Sequence, residues 1–318
     1  MKQIQPIVLS GGGKCPHPIW SLNEFLSEKR GCSIVISAPK YLREIEGILL
    51  KVNYPEDDIY GFEAELYYSY GTMKDIEAYR SYILSNWNRI QKLRQMLADE
   101  LSVDTLKAFL QGRVSGDQRY FIDVMVPNQY YPKEIFSFND RETLVECGSY
   151  NGNTLQEFMN VVHGKYKECY CFEPDATCAE ILQKRIVEEW KSDKIHLIKK
   201  GAWEEDTELC FDSTPEHGTS CIKSESENMV PMVKIDDAVS GEVSFIKMDI
   251  EGAELKALKG AKEVISKYRP KLAICVYHEC GDFLDIPEYL HALVPEYRFY
   301  MRHHNWSGAE TVLYAACE

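Results

Sequence analysis

From residue 137 onward, apolar runs of four to six residues alternate with longer stretches of helical periodicity, and this rhythm constrains the fold most. Strands are expected at 143–147, 169–172, 195–199, 243–248, 272–276, 298–302 and 311–316, and helices at 154–162, 176–190, 253–267 and 286–294. Strands and helices in alternation imply a mostly parallel sheet covered on both faces. No helix separates the last two strands. A parallel crossover needs a dozen or more residues, so the final strand should run antiparallel.

Chemistry concentrates at strand ends. The first strand closes on Glu146, and Gly148-Ser149-Tyr150-Asn151-Gly152 turns into a helix. The second strand ends in Glu173, followed by Pro174. In an open parallel sheet, ligands sit beyond the carboxyl ends of the strands, where the strand order reverses. Glycines there admit a close backbone approach, and an acid closing the second strand can accept hydrogen bonds from ribose hydroxyls. The pair predicts an adenosine-bearing cofactor. The glycine spacing is G-x-x-x-G, not the G-x-G-x-x-G of dinucleotide sites. Glu146 would repel phosphates and suit an ammonium and a sulfonium, as in S-adenosyl-L-methionine. Two rival readings remain: an NAD-dependent oxidoreductase, which Glu173 alone would fit, and a non-catalytic cofactor-binding or assembly module.

Composition narrows the partners. The net charge of −14 and the lack of a long basic run argue against nucleic acid. No apolar run reaches the length of a membrane span. The N-terminus lacks the pattern of a secretory signal, and the eleven cysteines form no C-x-x-C pair. They read as reduced, and the expected location is cytoplasmic.

Ahead of the alternating region, residues 1–71 read as a small α/β unit with strands at 6–10 and 33–37 and helices at 22–28 and 41–51. Gly11-Gly-Gly-Lys14 lacks the leading glycine and trailing Ser or Thr of a phosphate loop, and reads as a tight turn. Residues 72–136 read as a helical connector, with Ile76, Tyr79, Ile83, Trp87, Ile90 and Leu97 at helical spacing, and a substrate-side loop carrying Tyr130 and Tyr131. The N-terminal unit or this connector offers the surface through which copies of the chain could associate. Residues 137–318 form the cofactor domain, and the polar segment 213–229 reads as a lid.

A second dense motif, Phe245-Ile-Lys-Met-Asp249-Ile-Glu251-Gly-Ala-Glu254, ends another strand on Asp249, which should face the cofactor. Glu251 and Glu254 read as acids favoured at a helix N-terminus. His278 follows the next strand and shares that edge, so it is the candidate base, with Asp249 orienting it or taking the proton itself. Asp249, Glu251, His278 and His303 could also offer ligands to a metal, but their spacing gives no support and no metal is expected.

The motifs Glu-Cys-Gly-Ser-Tyr-Asn-Gly (146–152), Cys-Phe-Glu-Pro-Asp (171–175), Phe-Ile-Lys-Met-Asp-Ile-Glu-Gly-Ala-Glu (245–254), Arg-Pro-Lys-Leu-Ala-Ile-Cys-Val-Tyr-His (269–278) and Glu-Thr-Val-Leu-Tyr (310–314) occur in order. On these residues the chain resembles the FkbM methyltransferase family over roughly 140–316. The resemblance implies a class I methyltransferase Rossmann-like sheet, S-adenosyl-L-methionine as cofactor, and O-methylation of a hydroxyl on a sugar or natural-product-like small molecule. It further implies that Glu146, Gly148 and Gly152 surround the methionine part, that Glu173 holds the ribose, and that Ala202 and Trp203 lie near adenine; Tyr150, which could cover the methionine side, and Pro174 are further candidate cofactor contacts. Glu146 replaces the family's common Asp, and Ser149-Tyr150 its common Ala-Asn.

Overall fold

The computed structural model describes residues 22–28, 32–36, 38–61, 73–212, 221–222 and 228–317. The expected strand at 6–10, the turn at 11–13 and most of the 213–229 lid lie outside them. The chain divides into two compact units, 1–62 and 63–318. In the first, α1 (Leu22–Glu28), β1 (Ile34–Ile36), α2 (Leu42–Lys51) and β2 (Ile59–Gly61) form a small α/β piece. Its two strands pair in parallel, Ile34 beside Ile59.

The second unit opens with α3 (Met73–Ser85), α4 (Trp87–Met96), α5 (Glu100–Ser115) and α6 (Arg119–Asp123). The long helical stretch is thus cut into short pieces. Asp99 marks one cut: its carboxylate accepts the Ser102 amide at 2.8 Å and caps α5. Burial would raise this carboxyl, but hydrogen bonds from the Arg302 guanidinium and from Ser102 hold it down to about 2. Arg302 lies on a sheet strand and is 2 % exposed, so the same acid that starts the helix fastens it to the sheet.

The main sheet contains β3 (Thr143–Cys147), β4 (Glu168–Phe172), β5 (Ile195–Ile198), β10 (Phe245–Met248), β11 (Lys271–Cys275), β12 (Arg298–His303) and β13 (Thr311–Ala316). Their spatial order is β12-β13-β11-β10-β3-β4-β5. The five strands from β11 to β5 are parallel, and β13 runs antiparallel to both β11 and β12. Every residue of β3 and β10 is buried, as a sheet covered on both faces requires. The covering helices are α7 (Asn153–Val161), α8 (Ala176–Lys184), the short α9 (Ile235–Ala238), α10 (Glu254–Lys259), α11 (Lys262–Tyr268) and α12 (Asp282–Leu293). The expected helix at 253–267 is two helices, parted at Gly260-Ala261, and the end of the one at 176–190 widens into a π-turn, Arg185–Trp190.

A second, smaller sheet was not expected. It joins β6 (Gly201–Ala202), β7 (Thr207–Asp212), β8 (Cys221–Ile222) and β9 (Met229–Val233) in the order β6-β9-β7-β8. Phe211, Val230 and Met232 form its own apolar cluster.

Candidate functional site

The chain runs outward from β3 to β4 and β5, then returns to β10 on the other side of β3. The strand order therefore reverses between β3 and β10, and a crevice opens at their carboxyl ends. A cleft of about 340 Å³ lies there, a volume within the usual range for small-molecule sites. Residues 148–151 of the glycine loop, Glu173, Pro174, Ala202, Phe211, Met232, Lys247, Asp249 and Glu251 contribute to its lining. Of the expected residues, Gly148, Tyr150, Glu173, Pro174, Ala202 and Asp249 line the cleft, whereas Glu146, Gly152, Trp203 and His278 do not.

The exceptions have physical reasons. Gly152 has φ +81°, and a Cβ there would strike the Trp190 ring at 2.7 Å and Leu182 at 2.8 Å, so this glycine serves the seating of α7 on α8. Trp203 joins the apolar cluster of the small sheet, with the Lys256 ammonium 5.7 Å from its ring centroid. Phe211 and Met232 take the wall position expected of it. Glu146 is fully buried beneath the loop and accepts the Thr154 hydroxyl, while its Oε2 has no hydrogen-bond partner. Burial raises its carboxyl, and Lys247 pulls it back. Gly148 has φ +77°, and a Cβ there would sit 2.0 Å from the Asp249 carbonyl oxygen. The glycine thus lets the ends of β3 and β10 close together.

Glu173 stitches the loop to β4. Its Oε2 accepts the Tyr150 amide at 2.7 Å and its Oε1 the Asp175 amide at 2.9 Å. A carboxylate offers about four acceptor positions, so two remain for hydroxyl donors in the cleft. Tyr150 itself is 61 % exposed, and its left-handed backbone (φ 47°) turns that amide onto Glu173.

At the β10 end, Asp249 is clasped. The Tyr130 hydroxyl donates to its Oδ2 at 2.7 Å, and the Tyr277 hydroxyl donates to Oδ1 at 3.3 Å. Burial would raise the Asp249 carboxyl, but Lys247, then His278 and the Tyr130 hydroxyl, hold it below its ordinary value. Tyr130 comes from the segment expected on the substrate side and is 4 % exposed.

His278, the expected base, lies behind the cleft and not in its lining. Its side chain is 4 % exposed, with Nδ1 3.0 Å from Glu254 Oε1, and Nε2 3.5 Å from both Asp249 Oδ1 and Glu251 Oε2. Burial alone would depress it, yet the three carboxylates outweigh burial and raise it to about 9. A histidine held toward its charged form is poorly placed to take a proton near neutral pH. The ring sits among three carboxylates within ion-pair distance, which favours its charged form. Glu254 is likewise more than a charge at a helix terminus: it accepts the Ile250 and Gly252 amides at 2.8 and 3.0 Å. His303 is elsewhere, stacked on Phe121 and within 2.8 Å of the Thr311 hydroxyl; burial pushes it down to about 3.

Two residues carry more than the sequence suggested. Glu251 sits in the left-handed region (φ 56°) and lines the cleft. Burial, with Asp249, Glu254 and Glu310 nearby, lifts it to about 7 despite His278. Lys247 lies beside Glu146 in the sheet register, is 2 % exposed, and reaches the cleft. Burial would lower it, but Asp249 and Glu146 keep it above its ordinary value.

A parallel sheet with one antiparallel strand set next to its outer edge, and a cleft at its switch point flanked by acids, is the architecture of class I methyltransferases. The methyltransferase FkbM domain matches residues 146–304, half of the chain. The chain belongs to the FkbM methyltransferase family. It is similar to the crystal structure of methyltransferase FkbM from Methylobacillus flagellatus KT, at 29 % identity and a TM-score of 0.73, over 94 % of this chain and 78 % of that one. An rRNA methylase of Streptococcus thermophilus aligns over 57 % of this chain and 89 % of its own, at 14 % identity and a TM-score of 0.38, a likeness too slight to bear on function. No curated protein matches the chain. Among the described residues, no helix is long and apolar enough to cross a membrane.

Proposed function

We propose that this methyltransferase uses S-adenosyl-L-methionine and methylates a hydroxyl of a sugar or natural-product-like small molecule. The observation that carries the reading is the spacing of acids in one cleft: Glu173 at the end of β4, and Asp249 and Glu251 beyond β10, two strands away. The residues present suit that cofactor. Glu173 has acceptor positions left for a ribose. Ala202, Phe211 and Met232 give an apolar wall for adenine. The acids at the β10 end, Asp249 and Glu251, suit a ligand bearing an ammonium and a sulfonium. When bound, that cofactor supplies an electrophilic methyl group.

The chain's part is to position and to take a proton. Holding two reactants in line supplies much of the rate in such transfers. Asp249, fixed by two tyrosine hydroxyls, accepts a hydrogen bond and orients the acceptor. Glu251 takes up the hydroxyl proton, because a base whose ionisation falls near the working pH is the more effective one. The cytoplasm remains the expected setting.

Titration calorimetry tests the cofactor assignment. S-adenosylhomocysteine should bind the wild-type chain, NAD should not, and Glu173→Ala should weaken the binding by about tenfold or more, as expected for losing charge-assisted hydrogen bonds. Binding that is unaffected by this substitution would place the ribose elsewhere. Incubation with methyl-labelled donor and a panel of hydroxylated and amino acceptors then reports on the acceptor atom; label appearing solely on nitrogen would overturn O-methylation.

A further inference from the structure

The ammonium of Lys247 is a buried charge whose partners within the protein are too few. It donates one hydrogen bond, to the Gly148 carbonyl at 3.0 Å, and lies 4.8 Å from the centroid of the Tyr130 ring. Among the described residues it makes no ion pair, although Glu146 is its neighbour across the β3–β10 register. An ammonium carries three donors. Asp249 and Glu146 favour its charge from beyond ion-pair distance, but two of its three donors meet no acceptor among the described residues, and a buried donor left unmet is costly. Its side chain lines the cleft with Gly148, Asp249 and Glu251, on a strand two places from β4, which ends at Glu173. The other charged groups lining the β10 end of the cleft, Asp249 and Glu251, are acids, and His278 behind them is enclosed by acids.

We propose that Lys247 is a cofactor-binding residue that pairs with the carboxylate of the amino-acid tail of the methyl donor. The proposal rests on the S-adenosyl-L-methionine reading above and specifies how the zwitterionic tail is held: the acids of the cleft suit its ammonium and sulfonium, and Lys247 suits its carboxylate. It also accounts for a lysine in the middle of the apolar run Phe245-Ile-Lys-Met248. The lysine's remaining N–H groups are left without protein acceptors beside a cleft that must receive one anionic oxygen among several positive groups.

The test is a cycle of two proteins and two ligands, read by calorimetry. The ligands are S-adenosylhomocysteine and its carboxamide, in which the tail carboxylate is converted to a neutral amide. Wild type should bind the acid about 10–100-fold more tightly than the amide, the range for a charge-assisted hydrogen bond. Lys247→Gln keeps a donor for the Gly148 carbonyl and removes the charge, and should bind both ligands alike. Lys247→Arg, which retains the cation, should restore the preference for the acid. Thermal melts of each variant without ligand report whether it is folded. A wild type that does not distinguish the two ligands, or a Lys247→Gln that still does, overturns the assignment. The wild-type comparison stands even should both variants fail to fold. A wild type that binds neither ligand removes the methyl-donor reading, and this assignment falls with it.

Discussion

Glu251→Gln should reduce turnover by about 10²–10⁴-fold, the typical share of a general base, while S-adenosylhomocysteine still binds within a few-fold of wild type. Glu251 lines the cleft beside Asp249, and burial lifts it to about 7. The wild-type rate should therefore fall about tenfold per pH unit as pH drops below about 7, because the protonated acid has no room for another proton. The glutamine keeps the shape and the hydrogen-bonding capacity but cannot accept the proton. Asp249, held below the ordinary carboxylate range, is ionised throughout this window and does not produce the inflection. The measurement is a pH–rate profile with labelled methyl donor. A wild-type profile that stays flat between about pH 6 and 8 would sink the assignment of Glu251.

The second large effect is on stability. Replacing His278 with Ala should cost about 3–5 kcal/mol near pH 6, the usual result of removing one partner from a buried charge cluster. Glu254 is 0 % exposed and would lose its nearest cation. The dependence on pH has a defined sign. His278 rises from 6.5 to about 9 on folding, so the proton is bound more tightly in the native state. Its contribution is complete below about 6.5 and disappears as pH climbs through about 9. A shift of that size corresponds to about 3 kcal/mol. Asp282, 5 % exposed, slopes the same way up to about pH 8: burial and the nearby Glu254 push it up to about 8, so stability falls as pH rises from the ordinary carboxylate range to that value and levels off above it. Wild type should lose stability between about pH 6.5 and 9 in urea titrations, and His278→Ala should lose much less over that interval. Parallel slopes for the two proteins would show that His278 is not a native-state cation.

The main sheet was readable from the sequence because β3, β4, β10, β11 and β13 are short apolar runs with acids or turns at their ends. The antiparallel course of β13 followed from the missing helix before it. The small sheet was not readable. Its strands β6 and β8 span two residues each, too few for any period, and pairing between β7 and β9 bridges a stretch of polar sequence. Phe211 and Met232 came to the cleft with it. Lys247 did leave a signal: a lysine amid Phe245, Ile246 and Met248, in a strand expected to be buried on both faces, requires a partner for its charge. The role of His278 could not be read, because its protonation depends on Glu254, which lies 24 positions earlier and meets it only through the fold. Glu251 was similarly disguised, since an acid before a helix has an ordinary explanation until burial and its neighbours are known.

Two contacts outside the cleft bear on where this chain can be cut. The Ala98 amide donates to the Phe299 carbonyl at 2.8 Å, and the Val126 amide to the His303 carbonyl at 2.9 Å, so stretches of the early helical segment lie along the free side of β12. A fragment beginning at residue 137 would keep all seven main-sheet strands yet bare a row of unpaired backbone groups on the outermost one. Such a border recruits further strands. The trimmed protein should sediment as large, polydisperse particles while the full chain does not, making the early helices a built-in guard against self-templated growth.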